Sequence, residues 1–196
     1  MSLRRRMMMR NASESSLSPP DGYSFAEFTK KAYNTGIIPS GKTIELDFRC
    51  TSSGNFWQIF GVQGNYCLYQ APWQNSFFCF MNSGDYFAIN KNTYTTRHII
   101  NLNPTNNTAT FDNQPFTPPT SRANTNVSLM LNGIRNSADT GWWSSGTVGV
   151  RKNEIYSFKM WDAEDNLIMN ALPVVNDSTN EDAMYDFVNN VFLEVV

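Results

Sequence analysis

The chain has 196 residues, enough for one substantial core, and all-β sandwiches of this length are routinely single domains. Aromatic residues make up 14% and charged residues only 16%, a balance that suits short strands joined by polar turns and excludes long solvated helices. The formal charge of -2 is unevenly spread: Arg4, Arg5, Arg6 and Arg10 against Glu14 and Asp21 leave residues 1–21 at +2 and the rest at -4. A mildly acidic body argues against nucleic acid as a partner, because affinity for phosphate backbones comes from clustered Lys and Arg.

In chain order, residues 1–21 come first as an Arg-rich and Met-rich arm. Met7-Met8-Met9 is followed at once by Arg10 and a Ser-rich stretch, so no apolar h-region of signal-peptide length forms. No apolar run approaches the length needed to span a bilayer, and no membrane partner is expected. A helix over residues 4–13 would need a partner surface, and residues 13–21 read as a linker.

From Gly22 to the end, apolar and β-branched runs alternate with turn clusters. Strands are expected over residues 25–33, 43–50, 57–63, 65–70, 76–81, 86–90, 95–101, 108–111, 126–132, 147–150, 154–162, 166–171, 184–186 and 191–195. Two hairpins have the best support. Residues 155–162 alternate apolar and polar before the reversal Ala163-Glu164-Asp165-Asn166, and Asn189-Asn190 can adopt the positive φ of a tight turn. Cys50, Cys67 and Cys79 are odd in number, match no zinc framework, and read as buried strand residues.

The succession Asn34-Thr35-Gly36-Ile37-Ile38-Pro39, Thr43 to Phe48, Phe60-Gly61 and Arg97 to Asn103 resembles the concanavalin-like, laminin-G-like jelly-roll modules of gut phages and bacteria. Leu129 to Gly133, the Tyr156-Ser157-Phe158-Lys159 element, Leu172-Pro173-Val174 and the closing Tyr185-Asp186-Phe187-Val188-Asn189 agree with it, over residues 23–193. The resemblance implies an all-β, concanavalin-like jelly-roll β-sandwich over residues 22–196 with an extended N-terminal arm. It also implies that the closing strand lies beside the opening one, with Tyr185 and Asp186 as architectural residues. The arm is similar to leaders of gut Bacteroidetes proteins and their crAss-like phages.

Most catalytic and metal chemistry lacks its residues. A retaining glycosidase needs two carboxyl groups about 5 Å apart. Glu45 and Asp47 are the only pair on alternate strand positions, and Arg49 stands where a third acid would continue the row. His98 is the sole histidine, with no nucleophile assigned to it by spacing. Asp139, Asp162, Asp165 and Asp177 could supply oxygen to a hard cation, although Asp162 and Asp165 suit a turn equally. No enzyme activity, metal or cofactor is expected.

Two functional readings follow. Arg4, Arg5, Arg6, Met7, Met8, Met9 and Arg10 can anchor the chain in a groove of a capsid or fibre protein. That makes the chain a phage virion protein, a head fibre, capsid decoration or tail-fibre-associated module located on the particle, with a homo-oligomer, a trimer by analogy, as its form. The other reading is a carbohydrate-binding lectin module: Trp73, Asp139, Trp142 and Trp143 lie in turn-rich segments where rings could stack on sugars. The same tryptophans could instead anchor loops or fill a subunit interface.

Overall fold

The computed structural model describes residues 17–50, 57–62, 67–71, 76–82, 85–90, 95–103, 105–117, 126–135, 142–143 and 153–196. The described residues form strands and turns with no helix. One sheet contains β1 (Tyr23–Phe25), β3 (Thr43–Cys50), β8 (Arg97–Asn103), β9 (Thr108–Phe111), β10 (Gln114–Phe116), β14 (Asn153–Trp161), β15 (Leu167–Asn176), β16 (Asp182–Asp186) and β17 (Val191–Phe192). The other contains β2 (Tyr33–Asn34), β4 (Trp57–Gly61), β5 (Cys67–Ala71), β6 (Ser76–Asn82), β7 (Asp85–Asn90), β11 (Met130–Leu131) and β18 (Glu194–Val195). A small third sheet pairs β12 (Ile134–Arg135) with β13 (Trp142–Trp143).

The order β10-β9-β8-β3-β14-β15-β16-β17 faces β18-β2-β11-β4-β5-β6-β7, and every pairing is antiparallel. This is the all-β sandwich that the alternation and the family resemblance imply. Strand β3 shows how the sequence builds it. Ile44, Leu46, Phe48 and Cys50 are all fully buried between the sheets, while Thr43, Glu45, Asp47 and Arg49 point to the opposite face. Facing side chains include Tyr33, Phe60, Leu68, Leu129 and Leu131, so one continuous apolar layer joins the two sheets.

Three local expectations change. The strand expected over residues 25–33 is two strands, because β1 joins β15 and β2 joins β11, so the chain crosses from one sheet to the other between them. Thr29 makes a lone bridge to Ile155 in the crossing. The strand expected over 191–195 likewise divides: β17 pairs with β16 and β18 with β2, at Glu194↔Asn34 and Val195↔Tyr33. That second pairing places the closing strand beside the opening one. Third, a bulge between Ile155 and Ser157 shifts the register of β14. Strict alternation would put Tyr156 inside with Phe158 and Met160; the extra residue instead puts Ile155 in the core and turns Tyr156 outward.

The turns are chemically fixed. Asp162 Oδ1 accepts from the backbone N–H groups of Glu164 and Asn166, which closes the β14–β15 hairpin. Fully buried Asp186 accepts from the N–H groups of Asn170 and Val188 and from Asn189 Nδ2, and Asn190 supplies the positive φ of 56°. Asn34 Oδ1 accepts from Gly36 N–H and from Ser128 Oγ, with Gly36 at φ 70°.

Candidate functional site

Of the residues singled out for sugar contact, Trp73 and Asp139 lie outside the described residues, as do Arg4, Arg5, Arg6, Met7, Met8, Met9 and Arg10 of the arm. Trp142 and Trp143 are not in a turn. Their backbone forms β13, paired with β12 at Ile134↔Trp143 and Arg135↔Trp142.

The outward face of the nine-stranded sheet concentrates the remaining chemistry, and it has two halves. On β3, β8 and β14 it is ionic. Arg97 donates from Nε and Nη2 to the two carboxylate oxygens of Asp47, both at 2.7 Å, and its guanidinium lies 4.1 Å from the centre of the Tyr156 ring. Arg49 Nε donates to Glu154 Oε2 at 2.6 Å, Tyr156 Oη donates to the same oxygen at 3.0 Å, and Lys30 Nζ lies 3.4 Å from Glu154 Oε1.

These contacts set the protonation states. Burial pushes the Glu154 carboxyl up, but the hydrogen bonds from Arg49 and Tyr156 and the Arg49 charge outweigh it, leaving it below the usual carboxylate range. The hydrogen bond to Glu154 raises Arg49, and the one to Asp47 raises Arg97. Burial and the neighbouring Glu154 push the Tyr156 phenol up. Asp47, one of the two acids that could have formed a glycosidase pair, is therefore held by a forked arginine contact.

His98 sits at the inner end of the same sheet, where its Nδ1 is 2.9 Å from Asp112 Oδ2 in the β9–β10 turn and its Nε2 is 3.2 Å from Thr96 Oγ1. A histidine that pins a turn is a structural one. Of the candidate calcium aspartates among the described residues, Asp162 holds its turn, and Asp177 accepts from Ser24 Oγ at 2.7 Å. Among the described residues no three acids, histidines or cysteines gather as a metal site would require.

The other half of the outward face is aromatic. Met184 of β16 is in the core, so Tyr185 points outward, opposite Leu172 on one side and Phe192 on the other. Its ring lies 5.0 Å from Phe192 and 5.1 Å from Phe187. Phe192 lies 4.7 Å from Tyr23, and Phe187 lies 5.7 Å from Phe25. Five rings thus run in one row, Phe25, Phe187, Tyr185, Phe192 and Tyr23, drawn from β1, β16, β17 and the turn between the last two. Phe25, at one end of the row, is 46% exposed and Phe192, next to the other end, 44%, so the row presents open ring surface at both places. Val188 and Val191 are exposed beside it, and the Ser24–Asp177 pair and Asn189 supply exposed hydrogen-bonding groups on the same segments. Large aromatic rings in water without a partner are unusual and mark contact surfaces.

Sequence reasoning missed this row. Tyr185 and Phe187 stand in the closing motif, in which the resemblance implies that Tyr185 and Asp186 are architectural, and the usable signal is the position of Tyr185 and Phe187 on the side opposite Met184. Tyr23 and Phe25 join them only through the pairing of β1 with β15, a contact about 150 residues apart in sequence that no local pattern reveals.

No family model and no curated protein matches the chain. Among solved structures, a crystal structure from Bacteroides ovatus, provisionally assigned as a carbohydrate-binding protein, superposes with a TM-score of 0.54 at 10% sequence identity. The match covers 89% of this chain and 58% of the other, so this chain corresponds to little more than half of that protein's length. At that identity the likeness establishes the fold.

Proposed function

We propose that this domain is a carbohydrate-binding, lectin-like module whose ligand stacks on the aromatic row of Tyr23, Phe25, Tyr185, Phe187 and Phe192. The observation that carries the reading is the contiguity of those five rings together with the exposure of Phe25 and Phe192. Pyranose rings offer a C–H face to an aromatic ring and hydroxyls to polar neighbours, and a binding surface for them needs both. The shared fold with the B. ovatus protein supports the same assignment.

The test uses the whole chain on a broad glycan array, followed by calorimetry with the best-bound oligosaccharide. Wild type binds, and the double variant Phe25→Ala, Phe192→Ala weakens binding at least about tenfold, equivalent to about 1.4 kcal/mol, while retaining its circular dichroism spectrum. Absence of binding by the wild type, or equal binding by the variant, refutes the assignment. If the rings instead bury a second copy of the chain, the variant changes the sedimentation coefficient and leaves glycan binding untouched.

Display on a phage particle is a separate proposal, and it rests on the composition of residues 1–21 and on the resemblance of the sequence to jelly-roll modules of gut phages. The module would be the outward part and the arm the attachment.

A further inference from the structure

A rung of polar side chains crosses the outward face next to the ionic half. Lys159 of β14 stands directly opposite Glu45 of β3 on one side and Asn170 of β15 on the other. Directly opposed residues share a face, and their Cβ atoms lie about 4.5–5.5 Å apart. The face is the outward one, since the neighbours Leu46, Phe158, Met160, Met169 and Ala171 fill the core.

Outward polar residues are normally wet, yet these three are buried: Glu45 is 6% exposed, Lys159 7% and Asn170 7%. The side-chain oxygen of Asn170 has no hydrogen-bond partner among the described residues. The unsatisfied amide oxygen carries a desolvation cost, and burial holds a lysine and an acid in the same rung away from bulk water. A fold that retains all three in one rung invites a chemical explanation.

We propose that Lys159 and Asn170 join in an intramolecular isopeptide bond, with Glu45 as the proton carrier. The Glu45 carboxylate takes a proton from the Lys159 ammonium, which leaves a neutral amine. The Nζ lone pair adds to Cγ of Asn170, and the acidic proton on Glu45 supports the negative charge that develops on Oδ1. The remaining Nζ proton to be lost passes through Glu45 to the departing amide nitrogen, the Cγ–Nδ2 bond breaks, and ammonia leaves and is protonated to ammonium. One ammonium and one amide replace one ammonium and one primary amide, Glu45 is regenerated as a carboxylate, and no oxidant or cofactor is consumed. The product holds one neutral amide where a buried ammonium and a buried primary amide stood. The bond staples β14 to β15, the two strands that connect the ionic and aromatic halves of the face, and it stands independently of the carbohydrate reading.

Mass spectrometry of the purified full chain tests it. The chain contains no lysine or arginine after Lys159. Trypsin therefore releases residues 160–196 as the C-terminal peptide when Lys159 is unmodified. An acylated Lys159 resists trypsin, so the cross-linked chain gives residues 153–196, lighter by one ammonia than its sequence. That peptide is the expected result, and Asn170→Ala restores cleavage after Lys159.

Recovery of 160–196 at full mass from the wild type overturns the proposal, and this measurement needs no variant to fold. Loss of ammonia combined with normal cleavage after Lys159 locates the loss at another asparagine, as a succinimide, and overturns it equally. Glu45→Gln is expected to leave the peptide at full mass in a folded protein; an undiminished cross-link in that variant removes Glu45 from the mechanism.

Discussion

Asn132 is a buried, multiply bonded polar residue, and its replacement gives a sharp test of how the crossing between the sheets is held. Its side chain is 1% exposed; Nδ2 donates to the carbonyls of Lys30 at 2.9 Å and Asn153 at 3.1 Å, and Oδ1 accepts from Asn153 Nδ2 at 3.0 Å. A longer contact reaches the Lys31 carbonyl at 3.3 Å. One amide therefore ties the loop after β11 to the segment between β1 and β2 and to the start of β14.

Asn132→Ala removes the three good bonds, at about 1 kcal/mol net each, and leaves buried carbonyls without a donor. Its φ of 55° adds about 1 kcal/mol for an alanine, which lacks the local hydrogen bonding that lets asparagine adopt that conformation. The total is about 4 kcal/mol for Asn132→Ala and about 3 kcal/mol for Asn132→Gly, which relieves the backbone term. Urea denaturation measures both, and for a chain of this size the alanine variant should melt roughly 8–16 °C lower. A loss below about 1 kcal/mol, or an alanine variant as stable as the glycine one, refutes the account.

Two further outcomes are expected. Because the folded Glu154 carboxyl lies below its unfolded value, its contribution is complete above the ordinary glutamate range and is lost as pH falls through the depressed folded value. Glu154→Gln should therefore be less stable near neutrality and flatten the acid limb of a denaturation-against-pH profile; a parallel limb refutes the role. Deleting residues 1–16 should leave the melting temperature and glycan binding unchanged and abolish attachment to a phage particle, scored by co-sedimentation; attachment by the truncated protein removes the arm from the virion proposal.

The sequence carried the fold class because alternation is a local signal with a fixed physical cause: successive strand side chains face opposite ways, so Ile44, Leu46, Phe48 and Cys50 had to share a side. The Asp162 turn was equally legible, since its hydrogen bonds span four residues or fewer. The closing strand beside the opening one came through the family resemblance of its motif and holds at Val195↔Tyr33. Asn132 looked like the end of a strand, because its partners lie 21 and 102 residues away.

What only the tertiary structure decided is which side chains meet. The bulge at Tyr156 reverses the face that periodicity assigns to it, and that reversal is what lets it lie under Arg97 and donate to Glu154. Phe25 and Phe187 are unremarkable apolar residues until β1 pairs with β15 and draws them into one row. Glu45, Lys159 and Asn170 form a rung only when three strands settle into register. Local propensity selects strands, but register is a property of the paired sheet, fixed by burial of the core face, and the chemistry on the outer face follows from it.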